Sequence, residues 1–250
     1  MCYHISLLQN KWDRLEKRYS KKKSQEFPDP DEPGFCISAF DHPKVSIVNA
    51  AGLHLASWGL IPQWCKSLSD AHSIRAKTLN AMSETAALKP SFRDAFRHGR
   101  CIIPVSGFFE WHQFAGQKYP VYVSLKTQDI FSLAGISSEW TNPESGEKQL
   151  TFSILTREAS RSMSIIHNTK RRMPLILSAD SEEKWLAGVS TFDLSCKVTF
   201  PSDPPIEAYT VSRKINSIHG RRNSPDSIGK FHYPELVFSE LIEIIGLHSK

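Results

Sequence analysis

The sequence predicts a single α+β domain built on a mixed, curled β-sheet with short flanking helices. Many short segments are rich in β-branched and aromatic residues, and turn-forming residues bound each of them. Short helical patterns interrupt these segments without the regular alternation of a βαβ fold. The 250 residues contain no internal repeat and no linker long enough to divide the chain, so we expect one core.

The first sixty residues predict one helix and four strands. A charged helix is expected over residues 10–25, because Trp12, Leu15 and Tyr19 recur on one of its faces. An irregular loop with three prolines follows at residues 27–34. The strands are expected at residues 4–8, 35–40, 44–50 and 54–59.

The next forty residues predict short helices. Residues 75–82 are less regular than the strands before them. Ser83 is expected to cap a short helix that Pro90 interrupts. Ser91 is expected to cap a second helix, which ends at Gly99.

A dense β region begins after residue 100. Its strands are expected at residues 101–105, 108–112, 119–125, 130–137 and 150–156, with a hairpin-like loop at residues 141–146. Beyond it we expect helices at residues 158–166 and 181–187, and strands at residues 173–177 and 206–212. Residues 234–247 are apolar at a helix-like spacing, but the pattern also fits a strand.

The composition is that of a soluble globular protein, with 40% hydrophobic and 23% charged residues. No stretch approaches the roughly 20 apolar residues that cross a membrane. The N-terminus lacks the cationic region and apolar run of a secretory signal. We therefore expect no membrane contact and a cytoplasmic, nucleoid-associated location, or a nuclear one in a eukaryote.

The cysteines indicate free thiols rather than a metal site. Their number is odd, their spacing is wide and none forms a Cys-x-x-Cys pair, which zinc sites usually contain. We therefore expect no metal and no cofactor. Four of them are expected to be small buried apolar residues, namely Cys36, Cys65, Cys101 and Cys196.

The net charge of +5 is mild, but basic residues occur in clusters. Such clusters near loops suit contact with phosphate groups, although a solvated cationic face is an equally common explanation. The clusters are Lys170, Arg171 and Arg172, and then Arg213, Lys214, Arg221 and Arg222.

Cys2 follows the initiator methionine, and its small side chain favours removal of Met1. That removal leaves an α-amine and a thiol on adjacent carbons, with ordinary pKa values of about 7.7–8.0 and 8.5. The amine can condense with an aldehyde to an imine, and the thiol can then close a thiazolidine ring. Because the second step is intramolecular, it gains a large effective molarity. Taken alone, Cys2 is better explained as an unremarkable second residue.

Two further residues are candidates for proton transfer. Glu110 lies among aromatic residues in a predicted strand, where burial would raise the pKa of its carboxyl. A strand-end salt bridge is the simpler explanation for this glutamate. His167 follows an apolar pair and precedes a basic loop, whose charges would keep the imidazole neutral. A helix-end or core histidine is the simpler explanation here.

An asparagine and two tryptophans complete the candidate residues. The amide of Asn80 can donate and accept hydrogen bonds, so it could position the amine and thiol of Cys2, or it could cap a helix. Trp58 and Trp64 flank a turn and could stack on unpaired bases. Tryptophans are more often core residues, and we expect at least one of these two in the core.

Taken together and in this order, these segments resemble the SRAP family of abasic-site processing proteins. Each motif is weak alone, but six in one order over roughly residues 2–230 are specific. The matching pieces are Cys2 after Met1, residues 58–64, residues 80–85, residues 107–111, His167 with residues 172–174, and residues 211–213 with Asn216.

The resemblance implies a compact SRAP-type α+β domain over residues 1–230, with a curled, barrel-like sheet and a basic groove. Residues 231–250 would be a tail that packs on this domain or extends from it, and the protein is expected to be a monomer. The implied partner is single-stranded DNA that contains abasic sites. The implied reaction is a covalent thiazolidine crosslink between Cys2 and the aldehyde of the abasic sugar.

The resemblance also assigns roles to residues at matching positions. Asn80 would orient Cys2, Glu110 would assist proton transfer during ring opening and cyclisation, and His167 would contact the sugar or phosphate and transfer protons. The expected DNA-binding residues are Trp58, Trp64, Trp111, Arg172 and Arg213.

Two departures from the family pattern concern DNA contact. The family commonly begins Cys-Gly-Arg, whereas this chain has Tyr3 and His4 after its cysteine. The usual Asn-Ala-Arg is here Asn-Ala-Met, which replaces a phosphate-binding arginine by Met82. We expect these changes to affect DNA affinity more than crosslinking chemistry, with Arg75 and Lys77 as candidates to compensate.

Two other functions remain open at this stage. The crosslinking enzyme implied by the resemblance would itself be lyase- or hydrolase-like. The first alternative is a cysteine peptidase or other acyl-transfer hydrolase, with Cys2 as nucleophile and His167 as base. No oxyanion hole is evident for it. The second is a non-catalytic binder of single-stranded DNA, with tryptophans on bases and arginines on phosphates.

Overall fold

The computed structural model describes residues 2–24, 28–30, 32–188, 204–216 and 222–245. The strands in these ranges are β1 (His4–Leu7), β2 (Gly34–Ser38), β3 (Lys44–Asn49), β4 (Gly52–Trp58), β5 (Asn80–Met82), β6 (Arg100–Val105), β7 (Gly107–Phe114), β8 (Gln117–Leu125), β9 (Phe131–Thr141), β10 (Lys148–Glu158), β11 (Arg172–Pro174), β12 (Ile176–Leu177) and β13 (Ile206–Thr210). The helices are α1 (Trp12–Tyr19), α2 (Leu68–Arg75), α3 (Arg93–His98), α4 (Arg161–Ile166), α5 (Ala179–Leu186) and α6 (Ile242–Ile245). Short 3₁₀ helices span Ala39–Asp41, Arg213–Asn216, Pro225–Ile228 and Pro234–Phe238.

Five strands close into a small barrel. Their order is β10-β4-β3-β6-β9, and β9 returns to pair with β10. The pairing of β10 with β4 is parallel, while the other pairs of the ring are antiparallel. The short strands β5 and β11 extend β10, and β12 extends β9. The predicted α+β class with a curled, barrel-like mixed sheet is confirmed.

A second sheet carries the N-terminal strand in the order β13-β8-β7-β1-β2. Strand β1 pairs antiparallel with both neighbours, so that His4 lies opposite Ser38 on β2 and Phe109 on β7. Hydrogen bonds on both edges hold β1 in register immediately after Cys2. The structure thus fixes the second residue of the chain against the middle of the domain.

A shared apolar core joins the second sheet to the barrel. Ile5, Phe108 and Val123 from the sheet belong to the same buried cluster as Ile47 and Phe131 from the barrel. The rings of Phe108 and Phe131 meet edge to face, with centroids 6.4 Å apart, as aromatic pairs prefer. In the part of the chain described, no helix has the length and apolar character needed to cross a bilayer.

The helices differ from the sequence predictions more than the strands do. Helix α1 ends at Tyr19, well before residue 25, because Ser20 takes the left-handed conformation with φ 52°. Residues after β5 form turns instead of the helix predicted from Ser83, whose amide donates to the Thr156 carbonyl. Helix α2 was not predicted at all; the side chain of Ser67 caps it.

A helix and a strand near the end of β10 also differ from the residue ranges predicted for them. Helix α4 begins at Arg161 because β10 continues through Glu158 and the Ser160 hydroxyl accepts from the Met163 amide. The strand predicted at residues 173–177 is divided at Leu175, whose amide donates to the Leu155 carbonyl on β10 while its carbonyl accepts from Ala134 on β9. Its two halves therefore pair with different strands of the barrel.

The close packing of Gly107 against Tyr122 predicts that a larger residue at position 107 lowers the stability of the fold. A Cβ at Gly107 would lie 2.3 Å from the Tyr122 ring, whose hydroxyl shares a 2.7 Å hydrogen bond with Ser6 on β1. We expect Gly107→Ala to lower the free energy of unfolding by about 1–3 kcal/mol, as overpacked cores do. Denaturant titration measures this loss.

The double variant Gly107→Ala/Tyr122→Ala is the control for this prediction. Removing the ring relieves the clash, so the combined loss should be smaller than the sum of the two single losses. Strict additivity would show that the close approach of Tyr122 is not the cause.

Candidate functional site

Cys2 lies at the entrance to β1 and is fully buried. Its Sγ–H is directed at the His4 carbonyl, 3.7 Å away. Burial raises the pKa of this thiol well above its ordinary range, and the neighbouring Glu110 carboxylate raises it further. The thiol is therefore protonated at neutral pH in the state described.

Glu110 lies in the middle of β7 and is 1% exposed. Burial raises the pKa of its carboxyl from 4.5 to about 7. A carboxyl with this pKa exists in both protonation states near neutrality, so it can both deliver and accept a proton. The salt-bridged glutamate considered from the sequence would instead have a lowered pKa.

His167 faces Glu110 from the end of helix α4, with Nδ1 3.4 Å from Oε2 of the carboxyl. Nδ1 also lies 2.8 Å from the Arg172 carbonyl, and since a carbonyl only accepts, Nδ1 carries the proton. The lone pair of the neutral ring is then on Nε2. Burial lowers the pKa of His167 to about 4, and Lys170 contributes. Burial, rather than the basic loop that the sequence suggests, is the main cause of this neutrality.

Asn80 begins β5, and both polar atoms of its side chain are buried without a hydrogen-bond partner. Such atoms are rare in folded proteins because an unmade hydrogen bond costs free energy. The preceding Leu79 belongs to the same core cluster as Cys2. The amide of Asn80 is thus available to a group that the folded chain does not itself supply.

A pocket of about 200 Å³ opens beside the glutamate and the histidine. It brings together a carboxyl group, an imidazole, two aromatic rings and two lysines. Its lining consists of Tyr3, Glu110, Trp111, Gln113, Lys118, His167, Thr169 and Lys170. This combination suits a small anionic or phosphate-bearing molecule with a reactive polar group. In the residues described, no cluster of three or more His, Cys, Asp or Glu side chains could hold a metal ion.

Of the expected DNA-binding residues, Trp111 lines this pocket, and Arg213 is hydrogen-bonded to the backbone of the lining residue Lys118. The indole nitrogen of Trp111 donates to Asn216 at 3.2 Å, which ties the pocket to the 3₁₀ helix Arg213–Asn216. The exposed guanidinium of Arg213 lies 4.4 Å from the centre of the Tyr119 ring, and its Nε donates to the Lys118 carbonyl. The guanidinium of Arg213 and the indole of Trp111 therefore lie on the same surface as the pocket.

Arg172 is also close to the site, but its positive charge is paired with a carboxylate. Its guanidinium makes a two-pronged ion pair with Glu84, with distances of 2.7 and 2.9 Å, and donates to the Thr156 carbonyl. Its own carbonyl holds His167. This arrangement suits positioning of the site better than capture of a phosphate.

The other expected DNA-binding residues do not line the pocket. Trp64 is 47% exposed and its indole donates to the Pro90 carbonyl. Arg75 is half-buried and donates to the His42 carbonyl, and Lys77 is exposed. These three side chains are not brought together with Glu110 and His167 at the pocket.

The position of Trp58 corrects its expected place in a DNA channel and confirms that at least one of the two tryptophans, Trp58 and Trp64, is a core residue. The side chain of Trp58 is 0% exposed, stacks on Phe152 and donates to the Leu79 carbonyl at 2.8 Å. It has no surface on which a base could stack. Its hydrogen bond instead fixes the backbone next to Asn80.

Sequence reasoning missed one residue that contacts the pocket lining and one that belongs to it. Phe40 is 58% exposed and stacks on Tyr3 with ring centroids 5.0 Å apart. No sequence signal distinguishes it from a strand residue. Lys118 lies opposite Gln113 in the β7–β8 hairpin. A tight turn at Gly116, where φ is +74°, is the signal that predicts this pairing.

Comparisons with known proteins agree with this architecture. The family model described as SOS response associated peptidase (SRAP) matches residues 1–218. "Abasic site processing protein YoqW" of Bacillus subtilis is 38% identical over 174 residues, which is 68% of this chain and 73% of that protein. "Abasic site processing protein HMCES" of Gallus gallus is 33% identical over 193 residues, covering 68% of this chain and 55% of its own length. A crystal structure of a protein from Bacteroides thetaiotaomicron has a TM-score of 0.78 and 32% identity, and the match covers 92% of this chain and all of that one.

The raised pKa of Glu110 predicts how stability depends on pH. The fold favours the protonated carboxyl, so this contribution is complete below about pH 4.5 and is lost as the pH rises to about 7. Glu110→Gln removes that dependence. Between about pH 4 and pH 8 the wild-type protein should therefore lose up to about 3 kcal/mol of unfolding free energy relative to the variant.

Denaturant unfolding at a series of pH values measures this difference. Glu144→Gln, in an exposed turn, is the matched control and should follow the wild-type curve. Parallel curves for the wild type and Glu110→Gln would contradict the assignment of a buried, raised-pKa carboxyl.

Proposed function

The chain belongs to the SOS response associated peptidase (SRAP) family, and on that premise we propose that it binds single-stranded DNA at an abasic site and captures the aldehyde of the sugar covalently through Cys2. The names of its relatives support a role in processing abasic sites and in the response to DNA damage. The observation that carries the proposal is the placement of Cys2 near the buried carboxyl of Glu110, a residue of the pocket lining.

Removal of Met1 is the first requirement of the reaction. It gives Cys2 a primary amine two carbons from its thiol. The amine attacks the aldehyde carbon and forms a carbinolamine, which loses water to give an imine. The thiol sulfur then adds to the imine carbon while its proton moves to nitrogen, and the five-membered thiazolidine is complete. One water molecule leaves in the whole sequence.

Glu110 supplies and receives the protons of these steps. A carboxyl with a pKa of about 7 can protonate the departing hydroxyl of the carbinolamine and then accept a proton as the thiol adds. The unprotonated Nε2 of His167 can take the proton released when the ring-closed sugar opens. The amide of Asn80 orients Cys2 or the bound sugar, which gives its buried polar atoms the partners that they lack in the free protein.

DNA contact combines cations with aromatic rings around the pocket. Lys118 and Lys170 line it and are the proposed partners of the phosphates on either side of the abasic sugar. Trp111 and the stacked pair of Tyr3 and Phe40 offer ring faces to the neighbouring bases.

The outer surface supplies further contacts. Arg213 extends the cationic surface, and the exposed Trp64 and Lys77, with Arg75 beside them in the chain, are candidates for DNA beyond the pocket. With DNA as its substrate, the protein would act at the nucleoid of a bacterium or in the nucleus of a eukaryote.

The two alternative functions have less support. A cysteine peptidase needs a thiolate nucleophile, but burial raises the pKa of the Cys2 thiol and favours the thiol form. A simple DNA binder needs neither a desolvated carboxyl nor an asparagine with unmet hydrogen bonds, since both weaken the fold. Both features are instead expected where chemistry occurs.

Substitution of Cys2 tests the proposed reaction. Incubation with a single-stranded oligonucleotide that carries one abasic site should give a wild-type complex that survives denaturing electrophoresis. Cys2→Ala should give none, because both ring closure and its driving force are lost. Cys2→Ser should give at most a labile complex, because an oxazolidine closes less favourably.

Cys101→Ala is the matched control, since Cys101 is another fully buried thiol but lies within β6 and carries no terminal amine. It should crosslink like the wild type. A stable complex with Cys2→Ala, or an equal yield with an undamaged oligonucleotide, would refute capture by Cys2.

Salt dependence tests the two lysines of the pocket. Log affinity falls as log salt concentration rises, and for a single strand each phosphate contact adds about 0.7 to the steepness of this fall. Lys118→Ala and Lys170→Ala should therefore each make the slope less steep by roughly 0.7, as fluorescence anisotropy measures. Lys184→Ala on α5 changes the same net charge at an exposed position and should leave the slope unchanged. Equal salt slopes for all three variants would show that the DNA phosphates do not contact Lys118 or Lys170.

A further inference from the structure

Helix α4 is held to β7 at two points. At the first, His167 faces Glu110. At the second, Nδ1 of His112 donates to the Ile165 carbonyl at 2.8 Å. Ile165 is in the last turn of α4, where carbonyls have no partner within the helix. Glu110 and His112 are two residues apart on β7, so one face of this strand contacts the end of α4 twice.

His112 is in turn held by the C-terminal part of the chain. With the proton on Nδ1, its Nε2 is an acceptor, and the Ser239 hydroxyl donates to it at 2.7 Å. Burial lowers the pKa of His112, which keeps the ring neutral and preserves this pattern. A continuous chain of hydrogen bonds thus runs from Ser239 through His112 to Ile165.

The segment that carries Ser239 is firmly docked. Leu236 and Leu241 are almost fully buried and belong to the core cluster that also contains Cys2 and Ile166. The Tyr119 hydroxyl donates to Glu235 at 3.0 Å. This segment lies beyond residue 218, where the family match ends.

We propose that residues 234–245 act as a brace that positions α4, and that Ser239 and His112 are positioning residues for His167. They touch neither the pocket nor its reacting groups. Their effect is to keep the end of α4 seated on β7, so that the ring of His167 stays against Glu110. The effect of the brace on the reaction rests on the proposed crosslinking function, whereas the effect of the brace on α4 does not.

The brace predicts a change in rate without a change in affinity. Single-turnover crosslinking over a range of oligonucleotide concentrations gives a maximal rate and a half-saturating concentration. Ser239→Ala should lower the maximal rate about fivefold, the change that corresponds to one lost hydrogen bond, and leave half-saturation unaltered. Ser239→Thr keeps the hydroxyl and should restore the rate.

Phe238→Ala is the matched control. Phe238 neighbours Ser239 but is 84% exposed, so this variant should behave as the wild type. An unchanged maximal rate with Ser239→Ala would overturn the brace. A rise only in half-saturation would also overturn it, because the segment would then be a DNA contact.

Hydrogen–deuterium exchange gives a readout that needs no DNA. In Ser239→Ala the amides at the end of α4, including that of His167, should exchange faster, whereas those of β8 should not change. If the wild-type protein forms no adduct, the proposed function fails and exchange alone decides the brace. Unchanged exchange in α4 would reject it.

Discussion

The exclusion of water from the Glu110 carboxyl is the constraint on which the site depends. Burial between β1 and the end of α4 raises the pKa of this group to about 7, whereas an exposed glutamate would be ionised and a poor proton donor at neutral pH. The same burial keeps His167 neutral and the Cys2 thiol protonated. Three groups of different chemistry thus meet in one dry region, with their proton states set by a common cause.

The fold produces this constraint by bringing three distant parts of the chain together. Strand β1 brings Cys2, β7 brings Glu110, and the turn after α4 brings His167. The free energy for holding a carboxyl and the amide of Asn80 out of water comes from the large apolar core that the two sheets share. Sites that work against local stability in this way are expected to be functional.

The sequence predicted the strands, the fold class and the family well, because alternation and turn residues are local signals. It also predicted Glu110 as a buried carboxyl among aromatics. Tertiary contacts decide what local patterns could not predict. Ser20 ends α1 early, Trp58 is the one of the two tryptophans that packs in the core, where it holds the backbone beside Asn80, and Arg172 pairs with Glu84 from a distant turn. The exposed Phe40 has no pattern of its own, since its position depends on stacking with Tyr3.

The most direct test is the intact mass of the product formed with an abasic single-stranded oligonucleotide after heating in denaturant. Capture by the amine and thiol of one terminal cysteine predicts a single species. Its mass should equal that of the oligonucleotide plus the protein without Met1, less one water. A product that retains Met1, a mass without the loss of water, or no product at all from correctly processed protein would contradict the account.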